Sequence, residues 1–440
     1  MEIRGRRVMV VGMGVSGRAA ARFLDREGAR LVMTDARRDI DRAQLPPGEV
    51  LAGGEDPAAL RGVDFVVTSP GVPRDSVLLR EAVRGGTPVL SEIELASRYI
   101  AAPIVAVTGT NGKSTVTVMI GKMLEAASMR VFTGGNLGRP LIEAARGEYD
   151  AVVAEVSSFQ LEWIESFRAR VAVHLNLSDD HFDRYRDLQE YGAAKARLFE
   201  NQLAVDWAVL NRDDPNIWQL ASSMRARVFS FGLERAVSGR AIWPEDGALA
   251  FDCGDARGRI GIGAFKLAGR HNLVNAMAAS AAALAMGATA GAIERALSDF
   301  RALPHRIEFV SERNGVKFID DSKGTNVGAV VEALAAFDSP VILIAGGVDK
   351  GGDYSPLFKP LRDKARLAIF IGAARSKMSD ALSGATEIEL AATLKEAVAR
   401  AAKAARPGDV VLLSPACASF DQFTDYAERG KLFQELVRAL

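Results

Sequence analysis

Two glycine-rich turns constrain the fold of this chain most strongly, because each directly follows a short apolar run and precedes a helical pattern. The first follows a predicted strand at Arg7–Val11 and the second follows a predicted strand at Ile104–Thr108. Throughout the rest of the chain, short β-branched runs alternate with longer amphipathic stretches, which is typical of helices packed on parallel sheets. The sequence therefore predicts an α/β fold.

The length of 440 residues exceeds what one typical hydrophobic core can hold, so several domains are expected. The pattern separates into three blocks, at residues 1–98, 99–302 and 303–440. Further strands are predicted at 31–34, 64–68, near 89, and at 151–155, 171–176, 207–210, 317–320, 341–345, 367–371 and 410–413. Helices are predicted to about residue 27 after the first turn, from about 114 after the second, and over about 273–286.

The charge balance excludes some classes of partner. Lys+Arg and Asp+Glu number 55 each, so no global field draws the chain to nucleic acid or to an anionic membrane. Cys253 and Cys417 give neither a disulfide framework nor a zinc pattern. The charged start of the chain does not resemble a signal peptide, and no apolar run approaches the roughly 20 residues that span a bilayer. We expect a cytoplasmic protein with no transmembrane segment and no nucleic-acid partner.

The second glycine-rich turn predicts a phosphate site. Its glycines let backbone N–H groups face a phosphate, and the helix N-terminus adds partial positive charge. Lys113 can reach the β/γ-phosphates, while Ser114 or Thr115 can ligate Mg²⁺. Val107 stands where the full phosphate-loop pattern has glycine, so the loop is a variant. A tight turn with a surface lysine is the alternative, but the strand–helix context favours a nucleoside triphosphate.

The first turn, with Gly12, Gly14 and Gly17, is followed by Asp35 at the end of the next strand. This pattern predicts a diphosphate at a helix N-terminus and an acidic group near a sugar. A uridine diphosphate fits it as well as a nicotinamide cofactor, and a turn that only packs a helix on a strand stays open. The Ser69-Pro70-Gly71 turn at another strand end could add N–H groups to the same ligand.

Polar residues at strand ends in the middle block are candidate metal ligands. Glu155 ends an apolar strand, and a carboxylate beside a phosphate loop is a natural Mg²⁺ ligand. His181 and Lys195, taken alone, are more often ordinary surface residues. Later polar stretches, at 269–275, 305–306 and 321–326, are each explained as a cap or turn. Together they indicate a cleft built from two domains.

These motifs resemble those of the Mur ligases, and most closely the branch that adds D-glutamate. The resemblance covers nearly the whole chain and rests on seven segments: Thr108–Thr115, Glu155–Glu162, Asp180–Lys195, Gly269–Asn275, Pro304–Arg306, Asp321–Asn326 and Leu413–Ser419. Glu-Val-Ser-Ser-Phe-Gln-Leu and Ser-Pro-Ala-Cys-Ala-Ser indicate the branch. The Asp-Asn-Pro-Arg motif of the diamino-acid-adding branch does not occur, and Asn111 stands where the L-alanine-adding branch has histidine.

The resemblance implies three domains: an N-terminal Rossmann-like domain that binds a UDP-linked substrate, a central ATPase domain of P-loop type with a mostly parallel sheet, and a C-terminal Rossmann-like domain that helps bind ATP and the amino acid. It also implies a reaction. ATP phosphorylates the carboxylate of UDP-N-acetylmuramoyl-L-alanine, the amine of D-glutamate attacks the acyl phosphate, and phosphate leaves. The implied enzyme is monomeric and acts in peptidoglycan precursor synthesis.

The resemblance also implies roles for individual residues. The catalytic set is Lys113, Glu155, His181 and Lys195. The ATP set is Gly109, Thr110, Asn111, Gly112, Lys113, Ser114, Thr115, Asn136, Asn272, Asn275, Arg306, Asp321 and Lys323. The set for the UDP-linked substrate is Gly14, Val15, Ser16, Gly17, Asp35, Arg37, Ser69, Pro70, Gly71, Asn136, Ser157, Gln160 and His181. The D-glutamate set is Thr325, Lys350, Ser419, Phe420 and Tyr426.

Two Mg²⁺ sites are implied, with ligands from Ser114, Glu155, His181 and Lys195. Lys195 would be carboxylated by CO₂, which turns a cation into an anionic ligand. Asp349 lies one position from where relatives place an aspartate, so its role stays open.

Three other functions remain alternatives at this point. A folylpolyglutamate synthase has a similar phosphate loop but lacks a leading domain of this kind. A nicotinamide-dependent oxidoreductase would explain the first glycine turn and leave the phosphate loop without a role. A nucleotide-binding sensor without catalysis would not need Lys113, Glu155, His181 and Lys195 together.

Overall fold

The computed structural model describes residues 1–265, 267 and 269–440. The chain divides into two compact units. The first comprises Met1–Asn176, Tyr191–Phe265 and Val274–Asp299, and the second comprises Leu177–Glu190, a short stretch ending at Leu273, and Phe300–Leu440. No helix within the described ranges is long and apolar enough to cross a membrane.

The first sheet lies in the first unit and is parallel throughout, with strand order β3-β2-β1-β4-β5. Its strands and helices are β1 (Arg7–Val11), α1 (Val15–Arg26), β2 (Arg30–Asp35), β3 (Glu49–Ala52), β4 (Phe65–Thr68), α2 (Val77–Arg84), β5 (Val89–Ser91) and α3 (Glu92–Ser97). The central strands are apolar on both faces, as expected for parallel strands covered by helices. The chain crosses to opposite sides of β1, so the carboxyl ends of β1 and β4 form a topological switch point, where α/β sheets bind ligands.

The second sheet, also in the first unit, has strand order β14-β13-β12-β11-β10-β9-β6-β8-β7. Its elements are β6 (Ile104–Thr108), α4 (Lys113–Ala126), β7 (Val131–Gly135), β8 (Ala151–Glu155), α5 (Ser158–Leu161), β9 (Val171–His174), α6 (Leu188–Ala196), β10 (Trp207–Asn211), α7 (Pro215–Trp218), β11 (Arg227–Phe231), β12 (Arg240–Glu245), β13 (Ala248–Asp252), β14 (Arg257–Gly261), α8 (Arg270–Ala285) and α9 (Ala290–Asp299). Strands β7 to β12 pair in parallel, whereas β12, β13 and β14 form an antiparallel meander at one edge. Helices α6 and α8 each have residues in both units.

The third sheet lies in the second unit, with strand order β15-β16-β20-β17-β18-β19. Its elements are β15 (Glu308–Arg313), β16 (Val316–Asp320), α10 (Val327–Ala335), β17 (Val341–Gly346), α11 (Phe358–Lys364), β18 (Ala365–Ile371), α12 (Arg375–Ala381), β19 (Glu387–Leu390), α13 (Leu394–Ala404), β20 (Val410–Leu413) and α14 (Tyr426–Arg438). Only β15 pairs antiparallel among the described strands of this sheet. Separate apolar clusters contain alternate residues of β17, so the sheet is buried on both faces.

The predicted α/β class with mostly parallel sheets is confirmed. Strands at 7–11, 104–108, 151–155 and 410–413 have the predicted bounds, while the strand predicted to reach residue 176 ends at His174. The antiparallel meander β12–β14, the interior strand β11 and the edge strands β3, β7, β15 and β19 were not predicted. Each sheet falls inside one predicted block, and the block boundaries near residues 98 and 302 remain a prediction.

Helix α3 joins the first two sheets within the first unit. The fully buried Glu94 carboxylate accepts hydrogen bonds from the backbone N–H groups of Glu165, Ser166 and Phe167, at 2.9, 3.0 and 2.8 Å. Burial opposes its ionisation, but these bonds outweigh it and lower the pKa of Glu94. Glu92, also buried, accepts from Ile142 N at 2.6 Å, and burial raises the pKa of Glu92 to about 7.

Candidate active site

The phosphate loop between β6 and α4 has the geometry that its glycines predict. Gly109 and Gly112 have φ angles of +153° and +83°, which side chains rarely adopt. A Cβ on Gly112 would lie 2.5 Å from Asn275 Oδ1, and one on Gly109 would lie 2.9 Å from Leu175 Cβ. Larger residues are therefore disfavoured at both positions, and Asn275 of α8, a member of the predicted ATP set, lies against the loop.

Two lysines donate to the same carbonyl of this loop. Lys113 Nζ lies 2.9 Å from Gly109 O and 2.8 Å from Thr110 O, and Lys195 Nζ lies 2.9 Å from Gly109 O. The Lys195 side chain is buried, with Nζ 4.4 Å from the centre of the Tyr191 ring. Two cations at one carbonyl beside a helix N-terminus create a positive site, which favours phosphate oxygens.

Asn176 braces the phosphate loop, a role that was not predicted from the sequence. Its side-chain Oδ1 accepts from Asn111 N at 2.8 Å and its Nδ2 donates to Asn111 O at 3.2 Å. Its backbone carbonyl accepts from Thr110 N at 3.0 Å. The only available signal was its place two residues beyond β9, at the sheet edge where ligands bind.

Glu155 and Asn136 lie together at the ends of neighbouring strands. Asn136 Nδ2 donates to Glu155 Oε1 at 2.8 Å, and Asn136 N donates to Glu155 O at 2.8 Å. Glu155 pairs in register with Val107 of β6, the strand that leads into the phosphate loop. Ser114 is buried in the first turn of α4. A carboxylate and a hydroxyl are oxygen ligands that suit Mg²⁺, so the chemistry of these donors fits the predicted ion.

His174 is a second residue that sequence reasoning missed. It lies at the end of β9, in register with Thr108, and it is buried. Neither ring nitrogen has a hydrogen-bond partner among the described residues. Burial, and then the charges of Lys195 and Lys113, lower the pKa of His174 to about 3, so the imidazole is neutral. A neutral ring adds no further positive charge beside the loop.

The first glycine turn is organised by Asp35. Asp35 Oδ2 accepts from Met13 N at 2.7 Å, and both carboxylate oxygens accept from the Arg37 guanidinium at 2.8 and 2.9 Å. These bonds, with that of Arg37 first, lower the pKa of Asp35 to about 2. Ser69 Oγ donates to Gly12 O at 2.6 Å, and a Cβ on Gly17 would lie 1.8 Å from the same oxygen.

The structure therefore brings Asp35, Arg37 and Ser69 to one glycine turn, with Gly14 at the N-cap of α1. Val15, Ser16 and Gly17 follow in its first turn, and Pro70 and Gly71 follow Ser69. Ser157 and Gln160 form a capping box at the start of α5, with Ser157 N donating to Gln160 Oε1 at 2.9 Å. A capping role is thus established for this pair, and substrate binding by it remains a prediction.

In the second unit, a network around Asp180 gathers several predicted residues. Lys350 Nζ lies 3.1 Å from Asp180 Oδ1 and 3.5 Å from Thr325 Oγ1. Asn326 Nδ2 donates to Asp180 Oδ2 at 3.2 Å, and His181 Nε2 lies 3.7 Å from the same oxygen. His181 has a φ of +59°, an uncommon backbone conformation for this residue type. Asp180 was quoted in the resemblance but had no predicted role.

Asp321 and Lys323 lie in the turn after β16. Asp321 Oδ2 accepts from Ser414 Oγ at 2.7 Å, and burial raises the pKa of Asp321 to about 7. Lys323 Nζ lies 3.1 Å from the hydroxyl of Tyr426, the first residue of α14. The positive charge of Arg306 acts in the opposite direction to burial and lowers the pKa of Asp321, but burial has the larger effect. Ser419 is buried, Phe420 is 73% exposed, and Asn272 lies in the first turn of α8.

Arg429 of α14 is buried and holds two of these loops, a role that the sequence did not reveal. Its guanidinium donates to Ser322 Oγ at 3.0 Å, Ser322 O at 2.8 Å and Cys417 O at 3.3 Å. Burial lowers the pKa of Arg429 to about 10. The turn after β16 and the turn after β20 are therefore fixed to one helix.

His305, Glu308 and Asp320 form a group with metal-ligand chemistry, their donor atoms lying within 4.8 Å of one another. Hydrogen bonds account for these atoms. His305 Nδ1 lies 2.7 Å from Asp320 Oδ2, and Gln434 Nε2 donates to Asp320 Oδ2 at 2.9 Å and to Glu308 Oε2 at 3.1 Å. We interpret the group as a hydrogen-bonded network.

A glycine-rich loop at a helix N-terminus, with a lysine at the helix start, defines the class: an α/β protein whose central sheet carries a phosphate-binding loop. Three domain families match in order: a Mur ligase MurD-like N-terminal domain over residues 6–91, a Mur ligase middle domain over 107–283, and a Mur ligase glutamate ligase domain over 305–417.

Two curated relatives match from end to end. They come from Geobacter metallireducens and Geotalea uraniireducens, both are named UDP-N-acetylmuramoylalanine–D-glutamate ligase, and they are 46% and 47% identical. Each match covers 100% of this chain and 99% of the relative. The chain therefore belongs to the Mur ligase family, and within it to the MurD type, which confirms the resemblance.

Solved structures support the fold. A pseudomurein peptide ligase type C from Methanothermus fervidus superposes with a TM-score of 0.63 at 19% identity, covering 99% of this chain and 100% of that one. A UDP-N-acetylmuramate–alanine ligase from Thermotoga maritima superposes with a TM-score of 0.61 at 18% identity, covering 98% of this chain and 99% of that one. These similarities show a shared three-domain α/β architecture.

Proposed function

We propose that this protein catalyses the ATP-dependent ligation of D-glutamate to UDP-N-acetylmuramoyl-L-alanine in peptidoglycan precursor synthesis. The observation that carries the proposal is the end-to-end match to ligases named for this reaction. The geometry of the phosphate loop supports the ATP requirement independently, because its glycines, the N-terminus of α4 and Lys113 together suit phosphate oxygens.

The chemistry requires a carboxylate to attack a phosphate, although both groups are anionic. We propose that the loop amides and Lys113 hold the γ-phosphate and reduce this repulsion. Mg²⁺, when bound, supplies further charge neutralisation of the phosphate oxygens. Ser114 and Glu155 would hold one ion, His181 would be a ligand of a second, and the modified Lys195 would be a further Mg²⁺ ligand. Asn136 would orient Glu155, since it donates to Oε1 at 2.8 Å.

We further propose that Lys195 is carboxylated in the active enzyme. Its neutral amine would add to CO₂, forming an N–C bond and releasing one proton to water. The carbamate is anionic and provides oxygen ligands, whereas an ammonium would repel Mg²⁺. The Lys195 side chain is buried with Nζ 2.9 Å from Gly109 O, so a carbamate there would lie beside the phosphate loop.

Carboxylation of Lys195 can be tested without measuring turnover. Wild-type protein equilibrated with ¹³C-bicarbonate is expected to show one carbamate signal by ¹³C NMR, and Lys195→Arg is expected to lack it. A wild-type spectrum without that signal, under conditions where the enzyme is active, would refute the modification.

The amino-acid end of the reaction is assigned to the second unit. We propose that Lys350 and Thr325 bind a D-glutamate carboxylate, together with Ser419, Phe420 and Tyr426. Lysine and hydroxyl donors match the charge of a dicarboxylate.

Asn272, Arg306, Asp321 and Lys323 would contact ATP, together with Asn275 and the phosphate loop. The first glycine turn, with Asp35, Arg37 and Ser69–Gly71, would bind the UDP end, and Ser157, Gln160 and His181 the remainder of that substrate.

We also propose that the enzyme is monomeric, as the family resemblance implies. We propose that it is cytoplasmic, because its nucleotide substrates are cytoplasmic compounds. Light scattering should then give a mass near the chain mass of 47.0 kDa.

The acyl-phosphate route can be followed with an isotope. UDP-N-acetylmuramoyl-L-alanine labelled with ¹⁸O in its carboxylate should transfer one labelled oxygen to each phosphate released. The bridging oxygen leaves with phosphorus when the amine of D-glutamate forms the amide bond. Phosphate without the label, together with formation of the ligated product, would exclude an acyl phosphate.

A further inference from the structure

Asp349 and Lys350 are adjacent in the turn after β17, but their side chains have different partners. Lys350 Nζ lies 3.1 Å from Asp180 Oδ1 and 3.5 Å from Thr325 Oγ1. The Asp349 carboxylate instead accepts from Lys377 Nζ at 2.5 Å, from the Tyr354 hydroxyl at 2.9 Å and from Gly351 N at 3.2 Å. The donors of Asp349 thus come from three positions in the chain, and we call Asp349, Tyr354 and Lys377 the Asp349 clamp.

The Asp349 clamp is connected to the turn that follows β20. The buried Tyr354 hydroxyl also lies 3.2 Å from Cys417 Sγ. One residue before Asp349, Val348 forms an antiparallel bridge with Ala418, with N···O distances of 2.8 and 3.1 Å. The segment that carries Lys350 is therefore joined to the segment that carries Ser419.

Backbone freedom explains why the turn needs a clamp. Gly346, Gly347 and Gly351 have φ angles of +119°, +140° and +78°. Gly347 packs so closely that a Cβ there would lie 2.1 Å from Ala418 O. Glycines permit this path, but they also leave a turn with more conformational freedom than other residues would. Side-chain anchors beside Lys350 offset that freedom.

The protonation states suit a fixed set of donors. Burial opposes ionisation of Asp349, but the hydrogen bonds from Lys377 and Tyr354 outweigh it and lower the pKa of Asp349. Burial and the neighbouring Cys417 raise the pKa of the Tyr354 hydroxyl, so it stays a donor. Asp349 is therefore an anion whose carboxylate accepts hydrogen bonds from Lys377 and Tyr354.

We propose that Asp349 is a positioning residue: the Asp349 clamp fixes the glycine-rich turn so that the Lys350 ammonium is presented to a carboxylate of the amino-acid substrate. The inference rests on the proposed role of Lys350. It assigns Asp349 and Lys377 no direct contact with substrate.

Lys377→Met tests the clamp with little risk to folding, because the Lys377 side chain is half-exposed. The variant keeps the aliphatic stem and loses the charge. We expect the KM for D-glutamate to rise about five-fold, which is the effect expected from the loss of one partly exposed ion pair. The KM for ATP and kcat should stay within about two-fold, because the phosphate loop lies on another sheet.

Three further variants sharpen this test. Lys377→Arg keeps the charge and should restore the wild-type KM for D-glutamate. Asp349→Asn should raise that KM about ten-fold, and adding Lys377→Met to it should change little, since the pair is already broken. The matched control is Lys395→Met, an exposed lysine of α13 in the same unit, which should match wild type.

Each alternative gives a different result. A wild-type KM in Lys377→Met with a raised KM in Asp349→Asn would mean that Asp349 contacts the substrate directly, and would overturn the proposal. Equal changes in the KM of every substrate and in kcat would indicate general destabilisation, and would also overturn it. Wild-type enzyme that does not use D-glutamate would refute the proposed function instead, so the two failures are distinguishable.

Discussion

The phosphate loop of the first unit and the proposed amino-acid region of the second unit are built in different ways. Lys113 contacts carbonyls only three and four residues earlier, and glycines within the same turn set the loop path, while Asn176 and Lys195 add contacts across 65 and 86 residues. In the second unit, Lys350 reaches Asp180 and Arg429 reaches Ser322, contacts that span 170 and 107 residues. A substitution in a locally built site can abolish activity while the fold stays intact. In a site held by distant contacts, a substitution should lower both binding and the free energy of unfolding.

The largest expected effect is a loss of activity caused by a substitution in the phosphate loop, with no loss of stability. Lys113→Met should lower kcat/KM about 10³-fold, because it removes a charge that stabilises phosphoryl transfer. The far-UV circular dichroism and the melting temperature should stay near the wild-type values. Lys122→Met is the matched control, since Lys122 is an exposed lysine of the same helix that pairs with Glu125 at 2.8 Å. Comparable losses in both variants would contradict a specific role for Lys113.

The next effect should appear in stability rather than in chemistry. Arg429→Met should lower the free energy of unfolding by about 3 kcal/mol, because the carbonyls of Ser322 and Cys417 would be left buried without this donor. Urea unfolding measures the loss, and hydrogen exchange should rise in residues 320–326 and 414–420 while residues 105–115 stay protected. Lys431→Met, at an exposed position of the same helix, is the control. Unchanged exchange in both turns would show that Arg429 does not hold them.

The smallest effect concerns His174, beside the phosphate loop. In the folded state its pKa is lowered to about 3, first by burial and then by Lys195 and Lys113, from the ordinary value of 6.5. The unfolded chain therefore binds a proton that the folded chain does not between these two pH values, and stability falls as the pH decreases through that window.

His174→Leu should remove this component of the pH dependence. Between pH 6 and pH 4.5 the stability of the variant should fall less steeply than that of wild type, by about 1.4 kcal/mol per pH unit. At pH 7.5 the variant should be at least as stable, because an imidazole without hydrogen-bond partners is costly to bury. Parallel pH curves would mean that His174 ionises in the folded state.

The local and distant sites also differ in what the sequence could predict. The strands β1 and β6, both glycine turns and Lys113 were found because their signals lie within one strand–turn–helix unit, and Asp35 because it ends the strand that follows such a unit. The roles of Asn176, Asp180, Lys377 and Arg429 were missed, because their contacts with Asn111, Lys350, Asp349 and Ser322 span 65, 170, 28 and 107 residues and no local spacing reports them.

Some strands were missed for a related reason. The meander β12–β14 lies at one edge of its sheet and is short, and its residues Pro244 and Gly258 weaken a strand pattern. Tertiary pairing with β11 and between its own strands stabilises it despite this composition. The phosphate-loop residues, Asp35 and Glu155 were identified from local motifs and most other predicted site residues by family resemblance, and the roles of all of them in binding remain proposals.

The most direct test of the account is phosphate release from ATP with UDP-N-acetylmuramoyl-L-alanine and Mg²⁺, comparing D-glutamate, L-glutamate, L-lysine and diaminopimelate in parallel. We expect turnover with D-glutamate alone, with the ligated product appearing in equal amount to phosphate. Turnover with one of the other three amino acids instead would contradict the assigned substrate, and no turnover with any of them would contradict the proposed reaction.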